Sequence, residues 1–160
     1  GLTQMAACDL AIAADEALFG ASEVNWGIIP GGNVSWIMTQ LMSYRHAMHY
    51  AITGDTFDGK TAVDIGAVNY SVPLANLREE TIKLAHKMMQ KNPLAVRYTK
   101  EAIRTVRTMS EVDARDYLAA KSAQLILRDK EGGRQQGMSQ FLDEKSFRPG
   151  LGPYERRPAK

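Results

Sequence analysis

A chain of 160 residues that is 44% hydrophobic and 24% charged has the composition of an ordinary globular domain, which excludes a disordered or collagen-like chain. It contains no run of about 18 apolar residues of the kind that spans a bilayer. Its one cysteine, Cys8, excludes an intramolecular disulfide and fits a reducing, cytoplasmic compartment. The net charge of +2 hides an asymmetry, because all 20 Lys and Arg lie from Arg45 onward while the stretch before it carries only Asp9, Asp15, Glu16 and Glu23. A basic remainder either favours an anionic partner or solvates a set of amphipathic helices. The chain opens on Gly1 with no basic targeting segment and runs straight into core-like sequence, so it reads as a piece whose natural start lies upstream.

Taken in order, residues 5–10 read as a short buried helix, 10–14 as a buried strand and 17–19 as a second strand. Pro30-Gly31-Gly32 marks a turn, and Asn33 is placed to cap a helix through Trp36, Met38 and Leu41. A further helix covers 44–52 and stops at Gly54. Asp58 caps a short helix ending near Gly66, followed by a strand over 67–72 that ends at Pro73. From there the pattern is helical. Leu77, Thr81, Leu84 and Met88 form one apolar stripe. Ala95, Tyr98, Ala102, Val106 and Met109 form a second, and Ala114, Leu118, Ser122 and Leu125 a third. Asn92-Pro93 starts one of these helices and Ser110-Glu111-Val112-Asp113 has the form of a capping box for the next. A last helix spans 131–145 before a basic tail rich in Pro and Gly. The expected division is an α/β portion over 1–73 and a helical portion over 74–160, whose long stripes suit packing on something beyond themselves.

Most catalytic signatures are absent: there is no GxGxxG, P-loop, GxSxG or paired cysteine. His46 and His49 share a helix face, but no carboxylate completes a metal shell there, so no metal site is expected. Glu23 is the carboxylate that stands out, set in the apolar, glycine-bounded stretch Phe19-Gly20-Ala21-Ser22-Glu23-Val24-Asn25-Trp26-Gly27-Ile28-Ile29-Pro30. Burial there favours the protonated form and tunes a carboxyl to exchange protons near neutral pH, whereas a surface acid or helix cap has no such role. Composition alone leaves both readings open.

The segments Ala7-Cys8-Asp9-Leu10-Ala11-Ile12-Ala13-Ala14-Asp15, Phe19-Gly20, Ser22-Glu23 and Gly27-Ile28-Ile29-Pro30-Gly31-Gly32 resemble the core signature of the crotonase (enoyl-CoA hydratase/isomerase) superfamily. Thr53-Gly54, the stretch 62–68 and Asn92-Pro93 fall where that pattern expects them. Within the superfamily, Ser22-Glu23-Val24-Asn25-Trp26-Gly27 is similar to the 4-hydroxycinnamoyl-CoA (feruloyl-CoA) hydratase-lyases. The tail motifs Glu131-Gly132-Gly133-Arg134-Gln135-Gln136-Gly137-Met138, Phe141-Leu142-Asp143-Glu144-Lys145-Ser146 and Pro149-Gly150-Leu151 point the same way.

The resemblance implies an α/β fold, the later part of a crotonase-like ββα spiral followed by a helical trimerisation region. It implies that an upstream half supplies most of the sheet and one N–H of an oxyanion hole, the other coming from a turn ending near Gly1. Glu23 matches the carboxylate that handles water and the α-proton. Thr3 stands where plain hydratases carry a second glutamate, and it fits the hydroxyl residue of the hydratase-lyases; otherwise it packs in the first turn of a helix. Gly27 adjoins the substrate, and Trp26 either lines the acyl pocket or packs behind Glu23. Phe141 and Lys145 resemble tail residues that reach a neighbouring subunit's CoA.

One departure is Ala119, where the family's lyases place a tyrosine for the substrate's phenol; Tyr117 lies roughly 200° away round the helix. The implied partners are an acyl-CoA thioester and further copies of the chain, as a trimer or hexamer, with no membrane or nucleic acid. No cofactor is implied beyond the CoA of the substrate. The alternatives are a plain enoyl-CoA hydratase on another acyl group and a non-catalytic or RNA-binding crotonase-like protein.

Overall fold

The computed structural model describes residues 1–147 and 154–157. The motif Pro149-Gly150-Leu151 lies outside the described residues. Two compact units result, Gly1–Ile82 and Lys83–Lys160.

The first unit runs α1 (Leu2–Ala7), β1 (Ile12–Ala14), β2 (Phe19–Gly20), a 3-10 turn (Glu23–Trp26), α2 (Val34–Leu41), α3 (Tyr44–Thr53), β3 (Thr56–Phe57), α4 (Gly59–Asp64) and β4 (Tyr70–Val72). A second 3-10 turn, Leu74–Asn76, leads into α5 (Leu77–Met89). Strand β1 pairs parallel with β4, with Ile12 opposite Tyr70, and β2 pairs antiparallel with β3, with Gly20 opposite Thr56. Small side chains let these short elements close on each other. Ala13, Ala21, Ala47, Ala62 and Ala67 are buried together with Val34, Met38, Met42 and Phe57, and Met38 is only 1% exposed. Gly59 shows how tight this is, since a Cβ there would lie 1.9 Å from the carbonyl oxygen of Ala14.

Several expected boundaries move, each for a local reason. The first helix is Leu2–Ala7, not 5–10: Cys8 turns to extended backbone and its N–H bonds Met5, and Ala7, Cys8, Asp9 and Leu10 are exposed rather than buried. Apolar spacing located a helix but could not say what covers it. Ala17 belongs to the turn before β2, bonded back to Ala14. Ala67 and Val68 donate to the carbonyl of Ala62, so they close α4 rather than extend β4. Asn33 does precede α2, but at φ 69° its side chain makes no cap; Ser35 bonds Pro30 instead. Asp58 and Ser43 do cap, accepting from Thr61 and His46.

The second unit takes in the rest of α5 with α6 (Pro93–Val106), α7 (Glu111–Arg128) and α8 (Gly133–Met138), the last running into a π-helical turn, Ser139–Asp143. The expected helix over 131–145 is thus shorter and changes its winding. Asn92 caps α6 through Ala95, with Pro93 in its first turn, and Ser110 caps α7 through Asp113. Helices α6 and α7 pack together. Of the expected second stripe, Ala95, Tyr98, Ala102 and Val106 are covered on α6, whereas Met109 lies beyond the helix end and is exposed. On α7 the covered face is Ala114, Tyr117, Lys121, Gln124 and Leu125, whereas Leu118 and Ser122 of the expected stripe are exposed. The covered face differs because it includes Lys121, a charged residue that an apolar stripe passes over. Its ammonium bonds Glu101 at 3.0 Å and lies over the rings of Tyr98 and Tyr117, so its stem packs as an apolar residue.

Candidate active site

The site is built from the pairing of β2 with β3. Phe19 stacks on Phe57 with ring centroids 5.6 Å apart, and Tyr50 of α3 closes on Phe57 at 4.5 Å. This aromatic cluster fixes the chain just before the 3-10 turn. Ala21 is 1% exposed, so the chain enters the turn from the core. Glu23 opens the turn, and Asn25 N–H bonds Ser22 while Gly27 and Ile28 N–H groups bond Val24 and Glu23. Gly27 ends it at φ 71°, a left-handed geometry that disfavours any side chain, with open space where a Cβ would stand.

Glu23 is half-buried, and among the described residues its Oε2 is the one buried side-chain oxygen or nitrogen without a hydrogen-bond partner. Leaving such an oxygen unpaired costs about 1–3 kcal/mol, so it is retained where the free acceptor serves a purpose. In a 3-10 turn residues three apart eclipse, which puts Glu23 and Trp26 on one face. Trp26 is 77% exposed. Ile28 and Ile29, which follow the turn, are also exposed.

Thr3 lies exposed in the first turn of α1. Its helix rests on α2, which packs on α3, while the Glu23 turn also rests on α3. Both residues are therefore carried by one core. His46 and His49 are exposed, and His49 Nε2 pairs with Asp55 at 3.4 Å. Among the described residues no group of three or more His, Cys, Asp or Glu could hold a metal ion.

Phe141 and Lys145 belong to the second unit. Phe141 is exposed in the π-helical turn, and Lys145 leaves it at φ 53° with its side chain exposed. What fixes them was not read from the sequence. Gln140 is 1% exposed and pairs with both backbone groups of Glu155, at 2.8 and 3.0 Å. Gln136 does the same with Arg157, at 2.6 and 3.0 Å. The i, i+4 spacing of the glutamines matches the i, i+2 spacing of an extended segment, so 154–157 is held like an added strand. Two ion pairs complete the clasp, Arg156 with Glu131 and Arg157 with Glu144. Those hydrogen bonds hold both carboxyls below their ordinary range. At Asp129 burial raises the carboxyl, but bonds from Asn92, Gly133 and Glu131 outweigh it and leave it lowered.

Tyr117 bonds Thr105 across the α6–α7 contact at 3.4 Å, while Ala119 faces outward. Tyr117 is thus committed within the helix pair and does not replace the tyrosine expected at Ala119.

Residues 1–148 match the sequence model of the enoyl-CoA hydratase/isomerase family. The chain is 51% identical over 156 residues, 98% of its length, to a hydroxycinnamoyl-CoA hydratase-lyase of Pseudomonas fluorescens, and it spans 56% of that relative. It is 41% identical over 97 residues to a short-chain-enoyl-CoA hydratase of Clostridioides difficile, covering 61% of this chain and 63% of that one. Among solved structures, an enoyl-CoA hydratase of Bacillus anthracis matches with a TM-score of 0.79 and 26% identity, over 95% of this chain and 56% of that one. The fold of an enoyl-CoA hydratase from Mycobacterium smegmatis superposes with a TM-score of 0.83 at 23% identity, over 99% and 56% of the two chains. The chain therefore belongs to the enoyl-CoA hydratase/isomerase family, and its α/β and helical units are the corresponding part of the crotonase fold.

Proposed function

We propose that the full-length protein is a hydratase-lyase acting on a 4-hydroxycinnamoyl-CoA thioester of the feruloyl type. The observation that carries this reading is Glu23 Oε2, a buried acceptor left unpaired in the turn that also carries the open indole of Trp26. The 51% identity to the Pseudomonas hydratase-lyase supports the substrate class. In the first step Glu23 takes a proton from water, the oxygen bonds Cβ of the conjugated double bond, and the proton is returned at Cα. In the second step Glu23 takes the hydroxyl proton, the Cα–Cβ bond breaks, and the thioester enolate is protonated to acetyl-CoA as the hydroxybenzaldehyde leaves. Both steps place charge on the thioester oxygen, which backbone N–H donors stabilise.

Thr3 holds the water or the substrate oxygen in this reading, and Trp26 with the backbone at Gly27 lines the acyl site. Phe141 and Lys145 contact CoA, the lysine as a point charge on phosphate. No metal or redox cofactor enters the scheme. The enzyme works as a trimer or hexamer, a reading supported by Ile103, Val112, Ile126 and Leu127, all exposed on α6 and α7. A cytoplasmic location is supported by the lone cysteine.

A second reading, hydration of another acyl-CoA without cleavage, is favoured by the exposed Ala119 and the committed Tyr117. Aldehyde release from 4-hydroxycinnamoyl-CoA by the full-length protein separates the two. The lyase reading expects aldehyde, and far slower reaction of unsubstituted cinnamoyl-CoA, which lacks the electron-donating phenol. Equal hydration of both thioesters with no aldehyde selects the second reading.

A further inference from the structure

We infer that Asn25 is a positioning residue for Glu23, acting through a steric seat on Gly54; the inference rests on the reading of Glu23 as the acid–base group. The turn that carries Glu23 is only four residues long, buries none of them and has no side-chain cap at Ser22. Short 3-10 turns have strained hydrogen bonds and hold their geometry poorly by themselves. Support must come from what the turn rests on, which is the end of α3. There α3 stops at Gly54, left-handed at φ 69°, with its N–H bonded to Tyr50.

A Cβ on Gly54 would stand 2.7, 2.9 and 3.0 Å from the Nδ2, Oδ1 and Cγ of Asn25. The carboxamide of Asn25 therefore occupies the space that a side chain on residue 54 would need. Gly54 serves twice, ending the helix and leaving that space to the carboxamide. The β2–β3 pairing sets the height of the turn, with Gly20 opposite Thr56, and the Asn25 seat sets its depth two residues beyond Glu23. Acid–base catalysis is sensitive to such placement, because a shift of about 1 Å at a reacting group costs on the order of 100-fold.

The test uses the full-length protein and thioester turnover, with Glu23→Gln as reference. Asn25→Ala removes the seat and should lower kcat roughly ten-fold with KM within about two-fold and Tm nearly unchanged. Asn25→Leu keeps the branched outline without polar atoms and should restore most of that loss. Gly54→Ala drives a methyl into the amide, so its defect should be partly relieved in the Asn25→Ala, Gly54→Ala double variant rather than multiplied. Should Gly54→Ala fail to fold, the two Asn25 variants still decide. Turnover of Asn25→Ala within two-fold of the unmodified protein, while Glu23→Gln is crippled, overturns the positioning role alone. Normal turnover by Glu23→Gln overturns the acid–base reading and the inference with it.

Discussion

Replacing Gln140 with alanine removes a buried carboxamide that satisfies both backbone groups of Glu155. The side chain is 1% exposed, so water does not reach the freed site easily. Two hydrogen bonds of about 0.5–1.5 kcal/mol each are lost, giving about 1–3 kcal/mol against docking of the 154–157 segment. At about 1.4 kcal/mol per tenfold, that is a rise of about 5- to 150-fold in the opening equilibrium. Hydrogen exchange at the Glu155 amide reads this opening directly, because that N–H is held by Gln140 Oε1. Gln140→Glu should be at least as damaging, since a carboxylate cannot donate to the Glu155 carbonyl and would be buried as a charge. Because Gln140 precedes Phe141, loosening it should raise KM for the CoA thioester while leaving kcat nearly unchanged. Unaltered Glu155 exchange in Gln140→Ala would refute the reasoning.

Gly59→Ala places a methyl 1.9 Å from the Ala14 carbonyl oxygen and 2.8 Å from its carbon, backbone atoms that cannot swing aside. It should destabilise by about 3 kcal/mol or more, seen as a lower urea midpoint. For the tail clasp, Glu131 and Glu144 have folded pKa values below their unfolded ones. Depressed carboxylates stabilise the docked state above the unfolded value, near ~4.3, and lose that contribution as pH falls through the folded value. Docking of 154–157, followed by exchange, should hold steady from neutral pH and weaken only below about pH 4. Light scattering on the full-length protein should give a trimer or hexamer; a stable monomer contradicts the assembly proposed here.

Local chemistry was the most legible part of the chain. Asp58, Asn92 and Ser110 cap as their spacing to Thr61, Ala95 and Asp113 suggests, because an N-cap is a contact within four residues. Covered faces were legible on α6, whose neighbour follows directly in sequence. They were not legible on α7, where Lys121 is drawn inward by Glu101 and Tyr98 of α6 and lies over Tyr117 of its own helix. Asn33 had cap chemistry but not cap geometry, since its backbone is left-handed at φ 69° rather than extended as at Ser43 and Asp58. Glu23 could be singled out as an acid in an apolar stretch. That one of its oxygens is buried without a partner could not, because burial is a property of the folded surroundings and not of the local sequence. The clasp of 154–157 was invisible for the same reason: glutamine side chains pairing with backbone leave no periodic signal.

The central claim is that Glu23 moves the protons. The direct measurement is kcat of Glu23→Gln in the full-length protein on 4-hydroxycinnamoyl-CoA, followed by aldehyde release. Glutamine keeps the shape and a hydrogen-bonding oxygen but cannot accept the proton. The account predicts a loss in kcat on the order of 10² to 10⁴, with KM little changed and aldehyde release lost to the same degree. Turnover equal to that of the unmodified enzyme would contradict it.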